Sequence, residues 1–223
     1  MKIKRFLCAV AAAGVLLTVG CQKDPSTSSL HDEYLVYTAH DAEADFSEVG
    51  TYYIPDSILL IGTYALDPNG QKIAKYWTDK DAVALINTIA REMEGRGYVR
   101  LTDYDLKDTA DAGFQVSYVE EASYFIGYND PYWWGYYPYY WAPGYWGPWA
   151  GWYYPYTVYY GYTTGSLLVE MLDLNSTPGA DRKLPVIWSC YISGLLHGNR
   201  SIDIKEASDG IVQAFVQSPY LKK

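Results

Sequence analysis

Three histidines, two adjacent glutamates and a run of tryptophans are the residues of this 223-residue chain whose types could do chemistry. His31, His40 and His197 stand far apart, and none belongs to an HExxH pair, so neither a catalytic triad nor a zinc site is expected. Glu120 and Glu121 could form an acid/base pair, but neighbours on a strand point to opposite faces, and they read better as solvated charges at a strand end. The stretch LDPNG (66–70) lacks the spaced acids of a calcium loop and reads as a turn. GSLLVE and GNRSID lack the Gly-Lys-Ser/Thr ending of a phosphate loop. These residues therefore point to a protein with no catalytic residue, no metal and no cofactor.

The remaining chemistry is aromatic. Between Tyr128 and Tyr162 stand Trp133, Trp134, Trp141, Trp146, Trp149 and Trp152, six of the eight tryptophans, among Pro131, Pro138, Pro143, Pro148 and Pro155. Prolines this close forbid a continuous helix, and the absence of Val, Ile and Thr from Gly127 to Tyr156 argues against a long strand, so a folded-over loop is expected. Three uses suit it. The rings could stack on a glycan or grip an envelope protein, since each offers an apolar face and a polar handle at low entropic cost. They could sit at the headgroup level of a bilayer. They could instead pack on one another and on a sheet as a satellite core. Under the first two uses, the six tryptophans are the candidate contact surface.

Where such a loop would work depends on the N-terminus. Lys2, Lys4 and Arg5 precede the uncharged run Leu7 to Val19, too short to span a bilayer comfortably, so residues 1–20 read as a cleaved signal. Gly20 directly before Cys21 resembles a bacterial lipobox, in which the new amino-terminal cysteine is acylated with palmitate-type chains; a plain secretory signal would leave Cys21 a free thiol. Residues 21–32 are polar and serine-rich, the composition of a flexible tether. Gln22, Lys23 and Asp24 resemble the signal that sends Bacteroidetes lipoproteins to the outer face of the outer membrane, although Pro25 stands where another acid would be usual. An outer-membrane, lipid-anchored and surface-exposed protein is expected, with the membrane as its partner through that lipid.

Removing Lys2, Lys4 and Arg5 with the signal takes the formal charge from −9 to −12. So acidic a body repels phosphate backbones, which excludes nucleic acid as a partner. Acylated Cys21 would leave Cys190 alone, and its apolar strand context makes it a buried structural thiol.

The elements that must position these residues follow from periodicity. EYLVYT (33–38), TYYI (51–54), GFQVSYV (113–119), SLLVEMLDL (166–174) and LPVIWSCYIS (184–193) read as strands, the last two joined by a hairpin. In GFQVSYV, Gln115 and Ser117 are expected on a wet face; in LPVIWSCYIS, Leu184, Val186, Trp188, Cys190 and Ile192 share one face. A helix from Asp79 to about Arg96, capped by Thr78 with Asp81, carries an apolar stripe of Ala82, Leu85, Ile86, Ile89, Ala90 and Met93. A second, from about Ile204 to Gln217 and capped by Asp203 and Glu206, lines up Ile204, Ala207, Ile211, Ala214 and Phe215. The fold class expected is α+β: a two-layer domain over residues 33–221, with a mostly antiparallel sheet, two helices packed on one face, and a long aromatic Gly/Pro-rich loop at about 128–162.

In that order, DFSEVGTYYIPDS, NTIAREMEGRGY, DAGFQVSYVE, the aromatic run, TTGSLLVEMLDL, KLPVIWSCYISG and IVQAFVQSPYL resemble a family of Bacteroidetes lipoproteins known only as a domain of unknown function, DUF4136. The resemblance implies a lipid-anchored envelope protein. It carries no assigned chemistry and no site residues.

Overall fold

Runs rich in Val, Ile, Leu and Tyr form strands because their branched and aromatic side chains fill a pleated surface well. The computed structural model describes residues 35–120, 125–126, 146, 149–158, 161–177, 179–196 and 198–223. In chain order these hold β1 (Leu35–His40), β2 (Thr51–Tyr53), β3 (Ile58–Leu66), β4 (Lys72–Trp77), α1 (Lys80–Glu94), β5 (Val99–Leu101), a short 3-10 helix (Tyr104–Thr109), β6 (Ala112–Val119), β7 (Phe125–Ile126), β8 (Gly151–Tyr153), β9 (Gly161–Tyr162), β10 (Ser166–Asp173), β11 (Lys183–Ser193) and α2 (Arg200–Gln217).

Nine of the strands make one open mixed sheet in the order β1-β11-β10-β6-β2-β5, with β3 beside β6 and β4, and β8 beside β11. The long ladders between β1, β11, β10 and β6 and between β3 and β4 are antiparallel. The shorter pairings of β2, β5, β3 and β8 are parallel. The fold is α+β, as the sequence predicts.

Both helices cover one face. The apolar stripe of α1 is buried over Phe114, Val116, Leu167, Val169 and Met171. Its cap is Asp79 rather than Thr78: the carboxylate accepts from Asp81 N at 2.9 Å and Ala82 N at 3.2 Å. Helix α2 begins a turn earlier than expected because Asn199 caps it, accepting from Ser201 N at 3.1 Å. Gly210 lets α2 approach β11 closely; a Cβ there would lie 2.9 Å from Ile192 Cγ2.

The opposite face is not wet. Ser117 is fully buried and Gln115 half-buried, because part of the aromatic segment lies over them. Trp146, Trp149, Trp152, Tyr154 and Val158 form a second apolar cluster there with Leu168, Leu172, Leu184, Val186 and Tyr191. Gly113 makes room for it: a Cβ on Gly113 would stand 2.7 Å from the Trp146 ring.

The shared face expected for β11 is split by a bulge. Met171 pairs with Trp188 but Leu172 with Val186, so Ile187 is an extra residue. It turns Leu184 and Val186 to the aromatic cluster, while Trp188, Cys190 and Ile192 meet the helices. The turn at residues 66–70 is the tip of the β3–β4 hairpin, whose two strands the sequence reading did not assign. Asp67 orders it by accepting from Asn69 N at 2.9 Å and Gln71 N at 2.8 Å. His40 ends β1 and stacks on Tyr220 at 3.9 Å.

Candidate functional site

Where β4 hands over to α1, and where α2 begins, the sheet and the two helix N-termini leave an open groove of about 580 Å³. Trp77, the last residue of β4, donates Nε1–H to Asp79 Oδ1 at 2.7 Å. The residue that caps α1 therefore also holds the indole. Arg200, the first residue of α2, donates Nε–H to Asp81 at 2.7 Å and a terminal N–H to Asp79, and its guanidinium lies 5.1 Å from the Trp77 ring centroid. Tyr118 of β6 meets Trp77 edge-on at 5.8 Å. On the other rim Lys75 pairs with Glu120 at 3.5 Å.

Charge and protonation follow from these contacts. Partial desolvation works to raise the Asp79 carboxyl, but hydrogen bonds from Ala82 N, Trp77 Nε1 and Asp81 N, with the charge of Arg200, outweigh it and hold the group below its ordinary value. Burial first, then the Asp203 and Glu120 carboxylates, hold the Tyr118 phenol above its ordinary value. It lines the groove as a neutral group able to donate and accept. The site is a concave aromatic surface edged by paired charges. Among the described residues no group of three or more His, Cys, Asp or Glu could hold a metal.

Sequence-predicted residues lie elsewhere. Trp146, Trp149 and Trp152 are 2%, 7% and 1% exposed, so these three are core of the sheet's second face and offer no contact surface. Trp133, Trp134 and Trp141 lie outside the described residues, as do Cys21, Gln22, Lys23 and Asp24. The sequence reading passed over Trp77, Tyr118 and Arg200; the available signal was an aromatic residue two positions before a helix-capping Asp. Cys190 is buried, and burial pushes its thiol up, which suits a structural role.

A second residue went unnoticed in the sequence. Glu170 sits in the middle of β10 between Gln115 and Ser189 of the flanking strands, fully buried under the aromatic cluster. Its Oε1 accepts from Trp152 Nε1 at 2.8 Å and from the Tyr154 hydroxyl, and its Oε2 has no hydrogen-bond partner among the described residues. Burial pushes the carboxyl up to about 7, against the lowering effect of those two donors. The aromatic segment is thus pinned to the sheet by a polar anchor as well as by apolar area.

An open α+β sheet with helices on one face and an aromatic groove at the helix starts defines the class. The chain belongs to the DUF4136 family, a domain of unknown function whose model matches residues 36–220. A crystal structure of a DUF4136 family protein from Bacteroides thetaiotaomicron is similar at 41% identity over 86% of this chain and 98% of its own, with a TM-score of 0.71. More distant are the PelC dodecamer from Paraburkholderia phytofirmans, at 13% identity over 86% of this chain and 99% of its own with a TM-score of 0.37, and a PDZ domain protein from Parabacteroides distasonis, at 13% identity over 89% of this chain and 40% of its own with a TM-score of 0.40. No curated protein matches the chain.

Proposed function

We propose that this protein is a lipoprotein held by acylated Cys21 at the outer membrane, displayed outward by Gln22, Lys23 and Asp24, and that it works by binding rather than by catalysis. The groove beside Trp77 carries the reading. Its volume of about 580 Å³ falls in the range of small-ligand sites, and it converges aromatic surface with fixed polar groups, as such sites do. Trp77 is held in place by Asp79 and Arg200 before any ligand arrives, which lowers the ordering cost of contact. The described part of the aromatic segment acts as a cover for the sheet; within the segment, the contact role falls to Trp133, Trp134 and Trp141.

Two measurements test this. Cells grown with radiolabelled palmitate should yield labelled wild-type protein and unlabelled Cys21→Ala protein; equal label in both sinks the anchor. Full-length protein in detergent should bind members of a ligand library in a way that Trp77→Ala weakens. Binding unaffected by that change moves the site away from the groove.

A further inference from the structure

We infer that the groove takes a neutral, hydroxyl-rich sugar chain; the inference rests on reading the groove as the binding site. Three observations carry it. First, the aromatic wall is of the stacking kind: Trp77 is half-buried and fixed, and Tyr118 stands edge-on to it in the same lining. The apolar C–H face of a pyranose can lie on such rings, while its hydroxyls reach the rim.

Second, both cations of the groove are already paired. Lys75 faces Glu120, and Arg200 holds Asp79 and Asp81. A strongly anionic ligand must break one of these pairs or lie beside its own sign. A hydroxyl does neither, because it donates to a carboxylate and accepts from an ammonium or guanidinium without displacing the counter-charge. Third, the acidic net charge of the chain disfavours anionic polymers at long range, so uronate- or sulfate-bearing glycans are the poorer fit. A cationic peptide is the nearest competitor, since Asp203 adds a further carboxylate to the lining.

The test is a calorimetric titration of the full-length protein in neutral detergent with cellohexaose, mannohexaose and xylohexaose, with oligogalacturonate, and with pentalysine, each at low and high salt. At least one neutral hexasaccharide is expected to bind with little dependence on salt, and Trp77→Ala is expected to weaken it roughly tenfold or more, the scale of one lost stacking contact. Because Trp77 also supports the α1 cap, Tyr118→Phe, which keeps the ring and removes a hydroxyl from the groove lining, serves as a second variant, with a smaller loss expected in the same direction. Pentalysine or oligogalacturonate binding that fades with salt and depends on Trp77, with no neutral sugar bound, overturns the sugar assignment and leaves the groove as a site. Sugar binding that neither variant weakens, or no binding of any probe, overturns the groove reading itself.

Discussion

Two groups of aromatic rings in this molecule have the same chemistry in opposite settings. Trp146, Trp149, Trp152 and Tyr154 lie over the sheet, and the polar handles of Trp152 and Tyr154 point inward to Glu170. Trp77 and Tyr118 line a groove, where Trp77 ties its handle sideways to a helix cap. An aromatic ring becomes core or contact surface according to where its framework partner lies. A buried carboxylate beneath the rings draws them down; a surface carboxylate beside one holds it upright.

Substitutions that separate the two groups should rank accordingly. The largest effect is expected for Trp152→Ala, which removes a buried indole and one of the donors to Glu170: about 3 to 5 kcal/mol of stability lost in chemical denaturation. A loss below about 1 kcal/mol would place this ring in the exposed class instead.

Next comes the anchor itself. The folded protein binds the Glu170 proton more tightly than the unfolded chain does, because its carboxyl moves from 4.5 to about 7. Its contribution is therefore fully present below about pH 4.5 and is lost as pH rises through about 7, a swing of roughly 3 kcal/mol. Glu170→Gln should flatten the stability profile between those two values while leaving the acid limb unchanged. That limb belongs to Asp45, Asp79 and Asp111, whose lowered carboxyls stabilise the fold above their ordinary value of 3.8 and lose that contribution as pH falls. An unchanged slope from pH 4.5 to 7 in the variant would remove Glu170 from this role.

Gly113→Ala should cost about 1 to 3 kcal/mol, since the new methyl meets the Trp146 ring at 2.7 Å. The smallest stability effect, about 1 to 2 kcal/mol, is expected for Trp77→Ala, the change with the largest expected effect on binding. Melting curves and titrations of one set of variants would show whether stability and binding part company as the two groups require.

Parts of this arrangement were legible in the sequence and others were not, for identifiable reasons. All six residues of the stripe expected for α1 are buried, with Thr88 beside them, because one helix against one sheet leaves the period undisturbed. The strand β11 defeats the same reasoning, since a single extra residue at Ile187 inverts the parity of everything before it, and no local signal in LPVIWSCYIS marks the bulge. Ser117 was expected in water because nothing in GFQVSYV tells that a Gly/Pro-rich segment some thirty residues further on lies over it. Glu170 was visible as a lone acid within an apolar strand, and its meaning depended on that same cover. The groove gathers residues from Leu60 to Ala207 through the packing of six elements, so no sequence motif could announce it.

Hydroxyl-radical footprinting of the full-length protein, with and without a mixture of neutral hexasaccharides, tests the division most directly. Trp77 should be oxidised in the free protein and protected by sugar, while Trp146, Trp149 and Trp152 stay unmodified in both samples. Ready oxidation of the latter three, with sugar protection falling on them and Trp77 indifferent, would contradict the account.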